Sequence, residues 1–319
     1  MKQKKMKKKK STGSFWFKFK DNKYGIVGLY IFLVIVFVAL LAPVLAPYNP
    51  YESITATKDD VMASPSGDHW LGQDEAGRDI LSLVIYGSRI SLVVGFAAAV
   101  ITVLLGCIVG LSSGYAGGWL DSLLMRITDG FLAVPKIPLM LVIITVSGKS
   151  LTNIILVIGL LSWPFTARIV RAQVMSVKER TFVLRARSIG LSHPAIVIKH
   201  IFPQVLPLIF ASATLDISYA ILAEATLSFL GLGDPTLVSW GSTLNNAFTR
   251  GAVTRGAWFY IAPPGIALVL ITLSLALIGT AVQEIINPRL GSHHLFDERK
   301  IVSLLRHGIK QEVIINESK

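Results

Sequence analysis

A single cysteine, Cys107, is all that the 319 residues contain, and it lies inside an apolar run, so no disulfide framework can form within the chain. Charge is also scarce. Asp, Glu, Lys and Arg make up 16% of the sequence, against about 25% in a typical soluble protein. Acids are the scarcer sign, 19 against 31 basic residues, for a formal net charge of +12. Such an excess suits a nucleic-acid binder, but here the basic residues cluster beside long apolar runs, which argues against one. No His or Cys pair stands at metal-ligand spacing, and His293-His294 in the tail reads as solvated. Glu-x-x-His pairs are missing, as is any recognisable set of nucleophile, base and orienting acid. Gly148-Lys149-Ser150 imitates the end of a phosphate-binding loop, but Ile143 stands where its first glycine is required. The expectation is therefore a chain with no catalytic residues, no metal site and no cofactor of its own.

What the sequence has is apolar length. Hydrophobic residues make up 52%, and mean hydropathy is +0.61. Several runs approach the roughly 20 residues that cross a bilayer. The first, 26–46, holds 15 Ile, Val, Leu and Phe residues, worth roughly −7 kcal/mol on the insertion scale. It is longer than the core of a cleaved signal, with no small-x-small site after it, so it reads as an uncleaved span. Further spans are expected near 90–111, 120–146, 151–170, 205–230 and 260–285. The chain thus divides into a basic tail (1–25), a first span (26–46), an outer loop (47–89), a core of five spans (90–286) containing a basic loop (171–204), and a charged tail (287–319). With both tails inside, the inner segments hold 24 basic residues and the outer ones 6. This asymmetry predicts cytoplasmic N- and C-termini. The lysines Lys2 to Lys10 are expected to meet anionic lipid.

The loop between spans four and five carries the most local information. It reads Leu184-Arg185-Ala186-Arg187-Ser188-Ile189-Gly190, then Leu191-Ser192-His193-Pro194, then Lys199-His200-Ile201-Phe202-Pro203. A helix ending at Gly190 is expected, because glycine accepts the left-handed conformation after a helix terminus. Ser192 is placed to cap a second helix, Pro194 suits its first turn, and Pro203 is expected to end or kink it. Two short helices at an angle form an element that can dock into a partner's groove. The same residues also suit a basic pair lying on anionic lipid.

Ala186, Gly190 and Pro203 resemble the "EAA" loop of binding-protein-dependent ABC permeases, although Leu184 and Arg185 replace that motif's Glu and first Ala. Other stretches are similar to the peptide and nickel branch of the family. They are His69-Trp70-Leu71-Gly72-Gln73-Asp74-Glu75-Ala76-Gly77-Arg78-Asp79 with Tyr86-Gly87-Ser88-Arg89-Ile90-Ser91-Leu92, Glu224 to Gly233 with Ser239-Trp240-Gly241, and Asn287-Pro288-Arg289-Leu290. Together they cover residues 69 to 290. The resemblance implies an all-α type I ABC importer transmembrane domain with six transmembrane helices, a C-type subunit moving di- or oligopeptides through the cytoplasmic membrane. It further implies a heterodimer with a homologous B-type permease, two cytoplasmic ATPase subunits holding ATP and Mg, and an extracytoplasmic substrate-binding protein. Coupling to the ATPases would fall to Ala186, Arg187, Gly190, Leu191, Ser192, His193 and Pro203. A nickel or metal-chelate importer of the same architecture is the near alternative.

Charges inside spans need a protected setting. Arg126 and Asp129, at i and i+3, are expected to pair at the cytoplasmic end of span three. Asp216 and Glu224 are candidates for a pathway or subunit contact, and an ion-coupled secondary transporter using them is an alternative of another class. Gly72, Asp74, Gly77, Arg78 and Asp79 are expected to order the outer loop, which then offers a seat for a binding protein.

Overall fold

The computed structural model describes residues 15–52 and 61–286. The expectations for Lys2 to Lys10, for the 287–319 tail and for Asn287 to Leu290 and His293-His294 lie outside the described residues. Every regular element among the described residues is helical. Among the described residues, five helices are long and apolar enough to cross a membrane, or six if one bent pair counts as a single span.

The first span is preceded by a short helix. Helix α1 (Phe15–Asp21) turns at Asn22 into α2 (Lys23–Leu40), and the Asn22 side chain accepts the Gly25 N–H and caps α2. Phe19 of α1 is buried, with Gly25 and Ala281 in close contact around it. A four-residue turn, α3 (Ala42–Leu45), follows.

Helix α4 (Ile80–Ala116) begins ten residues before the expected Ile90, because Asp79 accepts the Ser82 N–H and caps it there. At 1.5 Å per residue its 37 residues extend about 55 Å, well beyond a hydrocarbon core of roughly 30 Å. The expected third span is not one helix. It is α5 (Gly118–Ala133) and α6 (Lys136–Ser147), set at 84° to each other. The break falls at Val134-Pro135, where Val134 is extended, as residues before proline prefer, and Pro135 has no N–H to continue the ladder.

Helix α7 (Leu151–Lys178) runs eight residues past the expected Val170, and α8 (Thr181–Ser188), α9 (His193–Ile196) and α10 (Phe202–Phe229) follow. The loop before the last span is itself helical in α11 (Trp240–Thr249), and α12 (Trp258–Ile286) completes the chain's described part.

Helices α4 and α7 pack along much of their length, and α10 packs on α4, α7 and α12, with α2 on the outer side of α12. Gly106, Gly110 and Gly114 form a stripe on α4. A Cβ on any of them would come within 3 Å of Thr166, Ala167, Val170, Arg171 or Val174 of α7. Small residues four apart let two helix backbones approach in this way. The bundle has a Gly190 end and a Trp240 end. At the latter, Trp240 is buried on Gly87 and its Nε1–H donates to the Val84 carbonyl at 2.8 Å.

Candidate functional site

At the Gly190 end, α8 stops in a defined way. The Gly190 N–H donates to the Arg187 carbonyl at 3.0 Å and the Leu191 N–H to the Ala186 carbonyl at 3.2 Å, with Gly190 at φ +83°. This pair of bonds is a Schellman motif, and its usual apolar contact is supplied by Ala186 and Leu191. Ala186 is buried with Val183, Ile196 and Ile201 against Val170, Val174 and Val177 of α7. The elbow is therefore held to the bundle by its inner face. Its outer face presents Leu184, Arg185, Arg187, Ile189, Ser192, His193 and Ile198 to the surroundings. The Tyr115 hydroxyl, at the end of α4, lies 2.7 Å from His193 Nδ1. A cavity of about 240 Å³ between α4, α7 and α8 is lined by Tyr115, Lys178, Leu184 and Arg187, among others.

Two local expectations change here. Ser192 occupies the cap position of α9, but its side chain makes no capping bond. Pro203 does not end the second helix. A π-helical turn, 197–201, absorbs the missing N–H, and the chain runs helically from His193 to Phe229 as 37 continuous residues. The elbow's second helix and α10 are thereby continuous.

The opposite end carries the residues read as ordering the outer loop. Asp74 is fully buried and accepts Arg78 Nε at 2.7 Å and the N–H groups of Ala76 and Arg78 at 2.8 Å each. Asp79 accepts from Ser82 and lies 3.1 Å from His69 Nδ1, while Gln73 donates to the Gly77 carbonyl. Gly72 and Gly77 both have positive φ, and a Cβ at Gly72 would collide with the Ala63 carbonyl at 2.5 Å. Glu75 accepts the Tyr260 hydroxyl at 2.7 Å, which fastens the loop to α12. Nearby, a polar cavity of about 410 Å³ is lined by Arg78, Lys149, Asp234 and Asn245, among others. Burial pushes the Asp234 carboxyl up, but hydrogen bonds from Thr236 and from the Leu151 N–H outweigh it and hold the group below the usual carboxylate range.

The charges at membrane depth find different partners from those their spacing suggests. Asp129 pairs with Arg168 of α7 rather than with Arg126, and Asp121 takes a two-point contact from Arg171 at 2.6 Å. Each pairing joins α5 to α7 and lowers the cost of holding these charges beside the spans. Asp216 accepts the Thr166 hydroxyl at 2.9 Å and is half-buried. Glu224 is 2% exposed and is met by the hydroxyls of Ser228, Ser91 and Ser239. It ties α10, α4 and the start of α11 together inside the subunit. The elbow and the outer loop thus sit at opposite ends of the bundle, with Asp216 between them. The α4 glycine stripe is legible in the sequence as Gly106-x-x-x-Gly110-x-x-x-Gly114.

This geometry can be set beside known proteins. Residues 102–292 match the family described as binding-protein-dependent transport system inner membrane component. The chain belongs to that family. Residues 12–65 match the N-terminal TM domain of oligopeptide transport permease C. A dipeptide transport system permease protein of Alkalihalophilus pseudofirmus is 35% identical over 274 residues, covering 86% of this chain and 88% of the relative. The oligopeptide transport system permease protein of Bacillus subtilis is 35% identical over 287 residues, covering 88% and 92%. A di/tripeptide transport system permease protein of Pseudomonas aeruginosa is 35% identical over 283 residues, covering 86% and 91%. The fold is accordingly the type I ABC importer transmembrane domain, in a multi-pass inner-membrane protein of the binding-protein-dependent family.

Proposed function

We propose that this chain is the C-type permease subunit of an ATP-driven importer that carries di- or oligopeptides across the cytoplasmic membrane. The observation that carries the mechanism is the elbow at 181–201, rigid on its inner face and exposed on its outer one. Exposed Leu184 and Ile189 beside Arg185 and Arg187 suit a groove on a partner. The names of the relatives favour peptides over nickel. The partners are a homologous B-type permease, two cytoplasmic ATPases and an extracytoplasmic binding protein. ATP and Mg belong to the ATPases, and this chain supplies no catalytic residue and contacts no nucleic acid. The basic-residue asymmetry supports an orientation with the Gly190 end and both termini in the cytoplasm.

Closure of the ATPases on ATP would displace the elbow. Because α9 continues into α10 through the π-helical turn, that displacement passes to the span carrying Asp216. Alternating access follows if ATP binds the two arrangements with different affinity, since only differential affinity shifts an equilibrium.

The test is Gly190→Val in the assembled importer, in vesicles supplied with binding protein and ATP. A β-branched residue held at positive φ costs about 1–3 kcal/mol, and nothing lies within 4 Å of a Cβ there, so the strain stays local. Membrane insertion should be unchanged and peptide uptake at least tenfold lower, with ATP still hydrolysed. Full uptake by the variant would sink the coupling role of the elbow. Uptake by the wild-type complex without ATP, on an ion gradient alone, would instead favour a secondary transporter.

A further inference from the structure

We propose that Lys136 and Asp216 form a subsite for zwitterionic peptides halfway along the subunit's transport face, with Lys136 taking the peptide's terminal carboxylate and Asp216 its terminal ammonium. The proposal rests on the peptide-importer reading above and adds the residues that meet the cargo.

Three helices bring the two charges together. Lys136 opens α6 at the 84° break. Its Nζ stands 5.1 Å from the centroid of the Tyr219 ring on α10, a cation–π arrangement. Tyr219 and Asp216 lie at i+3 and i on α10, hence on one face. From α7, Thr166 donates to one oxygen of the Asp216 carboxylate. Lys136 and Asp216 both keep some exposure, whereas Glu224 is closed off by serine hydroxyls.

Depth decides what such a couple is for. From Ser147 down to Lys136 is about 17 Å along α6, and from Phe229 down to Asp216 about 20 Å along α10. With the outer ends of both helices at the membrane surface, both positions lie near the middle of a core roughly 30 Å thick. Ionisable side chains at that depth face a protein interior or a water-filled cavity and mark substrate paths. A second couple, Arg168 with Asp129, lies nearer the Gly190 end, with side chains 51% and 59% exposed. Charged side chains on α5, α6, α7 and α10 together suit a face directed at water or at the second permease rather than at lipid.

The chemistry selects the cargo. Lys136 and Asp216 are electrically neutral as a couple, and so is a zwitterionic peptide. When the peptide enters, its carboxylate joins the Tyr219 ring at Lys136 and its ammonium joins the Thr166 hydroxyl at Asp216, so no charge at mid-membrane is left without a partner. A bare metal cation would satisfy Asp216 and leave Lys136 facing like charge.

The experiment uses the whole importer in vesicles with binding protein, ATP and a radiolabelled dipeptide. Lys136→Met and Asp216→Asn are each expected to lower uptake at least tenfold, with dipeptide affinity of the binding protein unchanged. To separate contact with the cargo from a packing role, Lys136→Cys and Asp216→Cys are made with Cys107 replaced by serine. A small cationic methanethiosulfonate reagent should label both positions in the assembled complex, and dipeptide transport should slow the labelling at least fivefold. Failure to label, labelling indifferent to dipeptide, or wild-type uptake by the Met and Asn variants would each overturn the subsite. If the wild-type complex itself moved no dipeptide, the peptide reading would fall, an outcome separate from the others.

Discussion

Asp74 and Glu224 are both buried carboxylates, and their partners set them apart. Asp74 holds one charged side chain and two backbone N–H groups within four residues of itself. That local closure is readable from Asp74-Glu75-Ala76-Gly77-Arg78 alone, because the turn needs Gly77 at positive φ and the arginine falls where it can fold back. Glu224 is held by hydroxyls drawn from positions 91, 228 and 239, which no spacing rule connects. Its placement inside the subunit was beyond sequence reasoning for that reason. Replacing Asp74 by alanine would strand the Arg78 guanidinium and two backbone donors, at a cost of about 3 kcal/mol. Limited proteolysis of the inserted protein should then cut within residues 61–79 at least tenfold faster. Wild-type cleavage rates would mean that other contacts, such as Tyr260 with Glu75, suffice to hold the loop.

At the scale of elements, the third span is where sequence and structure part. The apolar run from 120 to 146 reads as one helix, yet α5 and α6 meet at 84°. Pro135 was visible, but proline alone does not decide the matter. Pro164, Pro207 and the pair Pro263-Pro264 all lie inside helices that continue through them. The packing of α5 across α4 and α7, with Asp121 and Asp129 bound to Arg171 and Arg168, accompanies the break and holds it. The α4–α7 seam is the opposite case, since its glycine spacing is plain in the sequence. Gly110→Val would press a side chain against the Ala167 carbonyl and Val170, both 2.7 Å from the added Cβ. Overpacking of this kind costs about 1–3 kcal/mol, so thermal unfolding of the detergent-solubilised protein should shift down by several degrees. Gly130→Ala, with nothing within 4 Å of the added Cβ, serves as the control and should not lower it. Equal melting of all three proteins would refute close packing at the seam.

Taken whole, the molecule places its exposed elbow at one end and its ordered loop at the other, with the seam of α4 and α7 between. The proposed orientation predicts opposite accessibility for the two ends. With Cys107 replaced by serine, Gly67→Cys should react with a membrane-impermeant thiol reagent on intact cells. Ile189→Cys, at a side chain 76% exposed, should react only after the cells are opened and the ATPases stripped from the membrane. The reverse pattern would invert the topology and remove the elbow from the ATPases.

The sequence by itself determined the number of apolar runs, the asymmetry of basic residues around them and the turn at Gly190. Each of these depends on composition or on neighbours within a few residues: transfer free energy scales with apolar length, and a Schellman turn is closed by two local hydrogen bonds. The tertiary structure alone decided the break between α5 and α6, the continuity of α9 with α10, the serine shell of Glu224 and the meeting of Lys136 with the Asp216 face. Those features depend on groups far apart in the chain, whose pairing energy exists only after the helices have packed.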